Sequence, residues 1–334
     1  MNKFIDTGDS EIYGHKRDDI AYMPHLYNIR WSRKLNNVLR NVFYTPFLYD
    51  EPSYQVGKSN KHEYIAKLLP KLRNENISKV FFANLLEDFD YDFAKAGNVN
   101  EFYGILHSSN HLAQELHGSS KMKLYEDFIV SYAKKIFVAT PYFQSQLPYK
   151  TTVIGLPIHD EFREPNVESN QILYNHRLMA DRQPKLLIDF PKDLKKNIFI
   201  TIPNAVQSPY MPLLSKEFGE RFMNCNYSDG LYIKNLLNSG FGVSLAKQET
   251  FGYGVVEGIT YGLCYFAPRS GETCYKDYML DELLYETMDE LYDKIRYYME
   301  NKQERYDLVK RQQKKLEPYK VDTWLENLIG ELNG

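Results

Sequence analysis

Two carboxylates, Glu249 and Glu257, stand eight positions apart in the stretch KQETFGYGVVEGITYGL, residues 247 to 263. Gly252 and Gly254 lie between them, and glycine lets the backbone approach a ligand closely. The preceding FGVSLA predicts a short strand, so the chain turns here from a strand into a helix. The N–H groups at such a helix start favour an anion, most often a phosphate.

The two glutamates need a different partner, because carboxylates repel phosphate. A carboxylate accepts strong hydrogen bonds from hydroxyl groups. A ligand with hydroxyls, then phosphates, then hydroxyls satisfies both requirements, and a nucleotide sugar has this composition. The stretch therefore predicts a nucleotide-sugar site. The alternative is an ordinary helix with one solvated and one capping glutamate.

The segment ETFGYGVVEGITYGLCYFAP, which begins at Glu249, resembles the donor-site signature of retaining glycosyltransferases with the GT-B architecture. The resemblance implies an α/β fold of two Rossmann-like domains that face each other across a cleft. It implies that Glu249 binds hydroxyls of the transferred sugar and that Glu257 binds the ribose of a nucleotide-diphosphate sugar, with a UDP-sugar favoured. It also assigns to the donor site Lys247, Thr250, Phe251 and Gly252.

A second match to the same family lies in NHRLMADRQP, residues 175 to 184. Family members carry an arginine and, five residues on, a lysine at the end of the first strand of the second domain, where both grip the diphosphate. Arg177 takes the arginine position, and Arg182 takes the lysine position. The change keeps the positive charge but presents it as a planar fork. The alternative is a pair of ordinary surface cations.

The triplet Asn175–His176–Arg177 is similar to a feature of nucleic-acid-modifying glycosyltransferases, namely the phage and tRNA-queuosine enzymes. This likeness implies that Asn175 and His176 belong to the donor site. His107 ends the predicted strand EFYGILHS, and the family resemblance implies that it lies against the donor sugar. A buried structural histidine is the alternative for His107. The resemblance covers about residues 100 to 330.

The resemblance also implies a mechanism in which charge builds on the leaving phosphate oxygen. Fixed positive groups and N–H donors near Phe251 and Gly252 would stabilise that charge. The predicted catalytic residues are Arg177, Arg182, Glu249 and His107. No Asp-x-Asp motif follows a strand, so we expect no metal and no cofactor other than the donor. The DFDYDF run predicts a solvated helix face instead.

The acceptor side is predicted from a basic helix in residues 26 to 41. Its cations and aromatic ring could contact phosphates and stack on an extruded base. Together with the Asn175–His176–Arg177 likeness, this favours a hydroxylated or hypermodified base in phage DNA as the acceptor. The residues that carry this hypothesis are Arg30, Trp31, Arg33, Lys34 and Arg40. The alternative is a basic solvated helix that packs Trp31 inward.

Two other functions stay open at this point. Transfer to a polysaccharide or a lipid-linked glycan would need a basic or apolar amphipathic surface near residues 26 to 40. A nucleotide-sugar-binding protein or an epimerase could share the same architecture, but an epimerase would need further acid–base groups in the cleft. The sequence leaves the oligomeric state open.

The elements that must position these residues alternate between strands and helices, which is typical of a parallel sheet. The 334 residues suit two domains. The predicted division is an acceptor-side domain 1–157, a linker 158–170, a nucleotide-sugar domain 171–320, and a last helix 321–334 that crosses back to the first domain. No clear strand is predicted before residue 41, so the first domain is expected to be a trimmed Rossmann unit.

Composition excludes several other classes of protein. With 43% hydrophobic and 25% charged residues, the chain is typical of globular proteins, and it contains no apolar run long enough to span a membrane. The start lacks a secretory signal, so we expect a cytoplasmic protein, in the host cytoplasm if it is phage-encoded. A net charge of −3 does not indicate a general nucleic-acid binder.

Overall fold

The computed structural model describes residues 17–24, 30–45, 58–89, 91–96, 99–112, 120–158, 161–202, 208–225 and 229–334. These residues form two compact units. The first unit takes its described residues from Met1–Ala139, Gln144–Ile154 and Leu325–Gly334. The second takes them from Thr140–Phe143 and Gly155–Trp324.

The first unit is built on a six-stranded parallel sheet with the order β2-β1-β3-β4-β5-β6. Its strands are β1 (Arg17–Met23), β2 (Phe43–Tyr44), β3 (Lys79–Phe82), β4 (Glu101–Ile105), β5 (Ala133–Val138) and β6 (Thr152–Val153). Its helices are α1 (Arg30–Leu39), α2 (Lys58–Asn74), α3 (Leu85–Asp88), α4 (Tyr91–Ala96) and α5 (Ser120–Tyr132). The short helix α6 (Pro141–Ser145) follows β5. The order of the first five strands is that of flavodoxin-like sheets.

Strand β1 corrects the prediction that no strand precedes residue 41. It pairs in parallel with β3, with Ile20 opposite Lys79 and Met23 opposite Phe82. Only its last four residues are buried, whereas its first half is the charged run Arg-Asp-Asp. The short apolar half carries too little periodicity to be recognised in the sequence. The sheet of the first unit therefore contains a strand before residue 41, between β2 and β3.

The second unit is built on a six-stranded parallel sheet with the order β14-β12-β10-β7-β8-β9. Its strands are β7 (Ile172–Tyr174), β8 (Ile198–Ile202), β9 (Phe222–Asn224), β10 (Phe241–Val243), β12 (Cys264–Pro268) and β14 (Leu284–Tyr285). Strands β11 (Gln248–Glu249) and β13 (Glu272–Thr273) form a separate parallel pair.

The described residues of the second unit and of the end of the chain also form eight α-helices. They are α7 (Lys192–Lys195), α8 (Met211–Phe218), α9 (Asp229–Asn238), α10 (Tyr253–Thr260), α11 (Tyr275–Tyr278), α12 (Met288–Glu300), α13 (Lys302–Lys315) and α14 (Val321–Asn333). Helix α14 begins in the second unit, and its residues from Leu325 onward belong to the first. None of the described helices combines the length and the apolar character that crossing a membrane requires.

The segment PKLLIDFPKDL of the second unit does not form one continuous helix. It forms a 3₁₀ turn at Pro184–Leu187 and the short helix α7. Pro191 lies between the two pieces, because proline cannot continue a helix that precedes it. Strand β12 is not the edge of the second sheet, because it pairs with β14 on its outer side, where Ala267 lies opposite Leu284.

The order of the second sheet creates a switch point between β7 and β10. The chain runs from β7 outward to β8 and β9, and then returns to the other side of β7 as β10. Ligands of open α/β sheets bind outside the carboxyl ends of the strands at such a point. A ligand-binding site is therefore expected in the loops that follow β7 and β10.

Candidate functional site

The candidate site consists of the two loops that follow the switch-point strands. Strand β7 ends at Tyr174, and Asn175 and His176 come directly after it. Strand β10 ends at Val243, and the chain passes through β11 to the start of helix α10. The amide of Lys247 donates a 2.8 Å hydrogen bond to the carbonyl of Asp181, which joins the two loops.

Gly252 lets helix α10 begin where it does. Its φ of 76° and ψ of 55° lie in the left-handed region that glycine adopts at no steric cost. A Cβ at this position would lie 3.0 Å from a ring carbon of Tyr275 and 3.0 Å from the hydroxyl of Tyr278. A side chain here would therefore be strained and crowded, and it would move the first turn that carries Tyr253 and Gly254.

Arg182 and Glu249 form a buried ion pair across the two loops. Nη2 of Arg182 lies 3.2 Å from Oε2 of Glu249, and both side chains are about nine-tenths buried. Nη1 of Arg182 also donates to the carbonyl of Gln248 and lies 3.3 Å from Oδ2 of Asp181. The other carboxylate oxygen of Glu249 accepts from the amide of Thr250 at 3.2 Å. The planar fork of arginine can reach three acceptors at once, which the compact ammonium of lysine does less well.

Arg177 is placed differently from Arg182. Its Nη2 lies 3.3 Å from Oδ2 of Asp181, so both guanidinium groups meet at one carboxylate oxygen. The side chain of Arg177 remains 40% exposed, against 6% for Arg182. Its Nε is buried and finds no hydrogen-bond acceptor in the part of the chain that the structure describes. The exposed part of the Arg177 guanidinium is therefore accessible to a ligand, whereas its Nε is not.

Glu257 lies on helix α10 and is held from helix α9. The hydroxyl of Tyr232 donates a 3.0 Å hydrogen bond to Oε2 of Glu257. Nδ2 of Asn175 donates to the Tyr232 oxygen at 2.9 Å and to the carbonyl of Gly254 at 2.9 Å. The hydroxyl of Tyr265 in turn donates to Oδ1 of Asn175 at 2.5 Å. The end of β7 is thus tied to both helices that flank the site.

His176 is buried and neutral. Its Nε2 lies 3.1 Å from the hydroxyl of Tyr265, and its ring lies 5.3 Å from the ring of Tyr174. Burial lowers the pKa of His176 to about 3, and the positive charges of Arg182 and Arg177 act in the same direction. Because it is buried, His176 stabilises the loop from the protein interior.

Three further predicted donor-site residues differ in exposure. Thr250 and Phe251 are buried, and their carbonyls accept hydrogen bonds from Thr140 at 2.9 Å and from Tyr278 at 2.6 Å. Phe251 packs its ring against an aromatic cluster that includes Tyr278. Lys247 is exposed. The buried pair fixes the shape of the turn, whereas Lys247 is accessible to solvent.

The remaining predicted residues belong to the first unit. His107 follows β4, and its Nε2–H donates a 2.8 Å hydrogen bond to the carbonyl of Ala83. Lys34 is half-buried on α1, and Arg40 is exposed just after it. The side chains of Arg30, Trp31 and Arg33 lie outside the described residues.

Three residues of the site were missed by reasoning from the sequence: Asp181, Tyr232 and Tyr265. A signal for Tyr265 exists in two glycines. A Cβ at Gly242 would lie 2.2 Å from the Tyr265 ring, and one at Gly258 would lie 2.4 Å from it. These glycines make room for a ring that carries a hydroxyl into the site. No comparable sequence signal identifies Tyr232, because the pattern of its segment is that of an ordinary amphipathic helix.

No group of three or more histidine, cysteine, aspartate or glutamate side chains in the described residues could hold a metal ion. The chemistry of the arrangement is that of hydrogen-bonded carboxylates and guanidinium groups. Such a set recognises hydroxyls and phosphates.

Comparison with known proteins finds similarity in structure alone. No protein-family model matches the sequence, and no curated protein does. Sucrose-phosphate synthase from Thermosynechococcus elongatus has a TM-score of 0.68 and 13% identity, with 95% of this chain and 99% of that chain covered. The Anabaena protein HepE, in complex with UDP and glucose, has a TM-score of 0.64 and 12% identity, with 94% and 91% covered.

A third similar structure is TarM, which has a TM-score of 0.62 and 16% identity. The match covers 81% of this chain and 58% of TarM. At such low identities these likenesses establish the fold and nothing more. The chain has the GT-B fold, with two Rossmann-like units, as the sequence predicted.

Loss of the buried guanidinium should be costly. Replacing Arg182 by methionine leaves Glu249 buried without its counter-charge, and we expect R182M to lower the free energy of unfolding by about 3 to 5 kcal/mol. R177M removes a more exposed guanidinium and should change the same quantity by at most about 1 kcal/mol. Urea unfolding at neutral pH measures both. Equal losses in the two variants would contradict the buried pair.

The neutral His176 predicts a pH dependence of stability. Its pKa is about 3 in the folded chain and near 6.5 when unfolded, so between these values only the unfolded chain binds the proton. Its contribution to stability is therefore complete above pH 6.5 and is lost as the pH falls toward 3. We expect H176Q to flatten the pH dependence of unfolding free energy by about 1.4 kcal/mol per pH unit between about pH 6 and pH 4. Urea unfolding across this range tests it, and an unchanged slope would refute the assignment.

Proposed function

We propose that this protein is a glycosyltransferase that takes a sugar from a UDP-sugar. The observation that carries the proposal is the set of side chains at the switch point of the second sheet. Two buried carboxylates, Glu249 on β11 and Glu257 on α10, lie on either side of the start of that helix, and the partly exposed guanidinium of Arg177 follows β7. Carboxylates for hydroxyls beside a cation for phosphates match the chemistry of a nucleotide sugar.

Each side chain has a role in this proposal. Glu257 binds the ribose, and Glu249 binds hydroxyls of the transferred sugar. Arg177 contacts the diphosphate through its exposed guanidinium. Arg182 adds positive charge behind the diphosphate while its hydrogen bonds hold Glu249 in place. Positive charge fixed near the leaving oxygen stabilises the transition state without reorganisation.

The finer features of the reaction are proposals from the family resemblance. We infer that transfer retains the configuration at the anomeric carbon and needs no metal ion. His107, which follows β4 in the first unit, keeps its predicted role against the donor sugar. Lys247 and the backbone around Gly252 complete the predicted donor contacts.

The similar structures support UDP as the nucleotide. HepE was solved with UDP and glucose and also with UDP-glucose. A TarM variant from S. aureus was solved with α-GlcNAc-glycerol and UDP. These ligands belong to those proteins, and they guide the choice of donor to test here.

The acceptor carries two hypotheses. The hypothesis of a hydroxylated or hypermodified base in phage DNA rests on the cations of helix α1 and of the residue after it. Of these cations, Lys34 on the helix and Arg40 just after it have described side chains. A polysaccharide or lipid-linked glycan is the second hypothesis, and the glycoside bound to TarM favours it. A nucleotide-sugar-binding protein or an epimerase would use the same donor site without transferring the sugar to another molecule.

Donor binding gives the direct test. We expect UDP-glucose to bind the wild-type protein in isothermal titration calorimetry, and we expect R177Q to weaken binding about 10-fold to 100-fold because it loses a charge-assisted contact to phosphate. R311Q is the matched control, because Arg311 lies on α13 with its side chain 57% exposed and is paired with Glu282. Equal weakening in both variants, or no binding in the wild type, would contradict the proposed donor site.

The same preparation then distinguishes the acceptors. Radiolabelled sugar is followed from UDP-glucose to duplex DNA with hydroxymethylated bases and, separately, to a glycan mixture. Transfer to one of them identifies the acceptor class. Binding of the donor without transfer or hydrolysis would favour the binding protein, and isomerisation of the donor sugar would favour the epimerase.

A further inference from the structure

We propose that Tyr265, Asn175 and Tyr232 form a directed hydrogen-bond chain that orients Glu257 toward the ribose of the bound nucleotide. The three residues act as positioning residues, since the chain ends on the carboxylate that the proposed function assigns to the ribose. The inference rests on that proposed function and adds two residues to which the family resemblance gives no role, namely Tyr232 and Tyr265.

The direction of the chain follows from Asn175. Its Nδ2 lies 2.9 Å from the carbonyl of Gly254, and a carbonyl can only accept, so the amino group must face that side. The opposite assignment of the amide would set two acceptors against each other. With the amino group fixed, Nδ2 donates to Tyr232 and Oδ1 accepts from Tyr265. The hydroxyl of Tyr232 is then left to donate its proton to Glu257.

Every link therefore donates toward the same carboxylate. The distances from Tyr265 to Asn175, from Asn175 to Tyr232 and from Tyr232 to Glu257 are 2.5, 2.9 and 3.0 Å. Hydrogen bonds that run in one direction polarise one another, and the effect is larger away from water. Asn175, Tyr232 and Tyr265 are each at most 2% exposed. The chain thus stabilises the ionised carboxylate in one orientation.

The chain has a defined far end. Because the proton of Tyr265 points to Asn175, the neighbouring Nε2 of His176 serves as a donor to the Tyr265 oxygen at 3.1 Å. A neutral imidazole with its proton on Nε2 fits this role. The lowered pKa of His176 agrees with it, because a neutral ring adds no charge to the chain.

The backbone is built around this chain. The Tyr265 ring occupies the space that glycine leaves at positions 242 and 258, and position 258 directly follows Glu257. Asn175 bonds to the first turn of the same helix through Gly254. A shift of the chain would therefore also shift the carboxylate. A carboxylate accepts several hydrogen bonds at once. The bond from Tyr232 therefore fixes the orientation in which the Glu257 carboxylate accepts hydrogen bonds from the ribose.

The test compares two nucleotides that differ only in the hydroxyls that Glu257 is proposed to bind. Isothermal titration calorimetry measures the affinity for UDP and for 2′,3′-dideoxy-UDP. We expect the wild-type protein to prefer UDP by about tenfold or more, since each hydrogen bond to a charged group contributes roughly one power of ten. In Y232F the affinity for UDP should fall while that for the dideoxy nucleotide stays nearly unchanged, so the preference shrinks to about threefold or less.

Two further variants separate positioning from stability. Y285F removes another buried hydroxyl of the second unit, the one that donates to the carbonyl of Ser244, and it should keep the full preference. Y265F breaks the chain two links from Glu257 and should reduce the preference, which gives a second reading if Y232F folds poorly. Thermal unfolding of each variant measures stability separately.

The possible outcomes distinguish the inference from the function on which it rests. A wild type that binds neither nucleotide would overturn the proposed function and the inference together. A wild type that prefers UDP, with Y232F and Y265F that keep the full preference, would overturn the inference alone. Loss of the preference in Y285F as well would also overturn it, because the effect would then be a general loss of packing.

Discussion

An ionised carboxylate is stable inside a protein only when a counter-charge or hydrogen-bond donors come with it. The second unit buries two of them, Glu249 and Glu257, at the carboxyl end of its sheet. Arg182 accompanies the first, and Tyr232 accompanies the second. A loop, a strand end and one turn of helix must supply these partners. Most other features of the site follow from this requirement.

The constraint explains why the two arginines differ. The guanidinium of Arg182 is committed to Glu249, Asp181 and the carbonyl of Gln248, and it lies almost wholly inside the protein. Arg177 shares Asp181 but keeps an exposed face. One cation therefore holds the acidic side chain, and the other stays available to a ligand. A pair of cations that look equivalent in the sequence divides into an inner and an outer member.

The strand order brings these partners together. Asn175 and Arg177 follow β7, Glu249 follows β10, and these strands are neighbours although they lie far apart in the chain. The fold and the turn into α10 could be predicted from the sequence, because alternating elements and glycines leave local signals. The contacts could not, since Tyr232 and Glu257 lie 25 residues apart and Arg182 lies 66 residues from Gln248. Strand β1 could not be predicted for a local reason, namely that half of it is charged.

The most direct measurement is a crystal structure of this protein with UDP bound. The account predicts the diphosphate within about 3 Å of the Arg177 guanidinium and a ribose hydroxyl within about 3 Å of a Glu257 carboxylate oxygen. It also predicts that the bond from Tyr232 to Glu257 is unchanged in the complex. UDP bound away from the ends of β7 and β10, or a ribose with no contact to Glu257, would contradict the account.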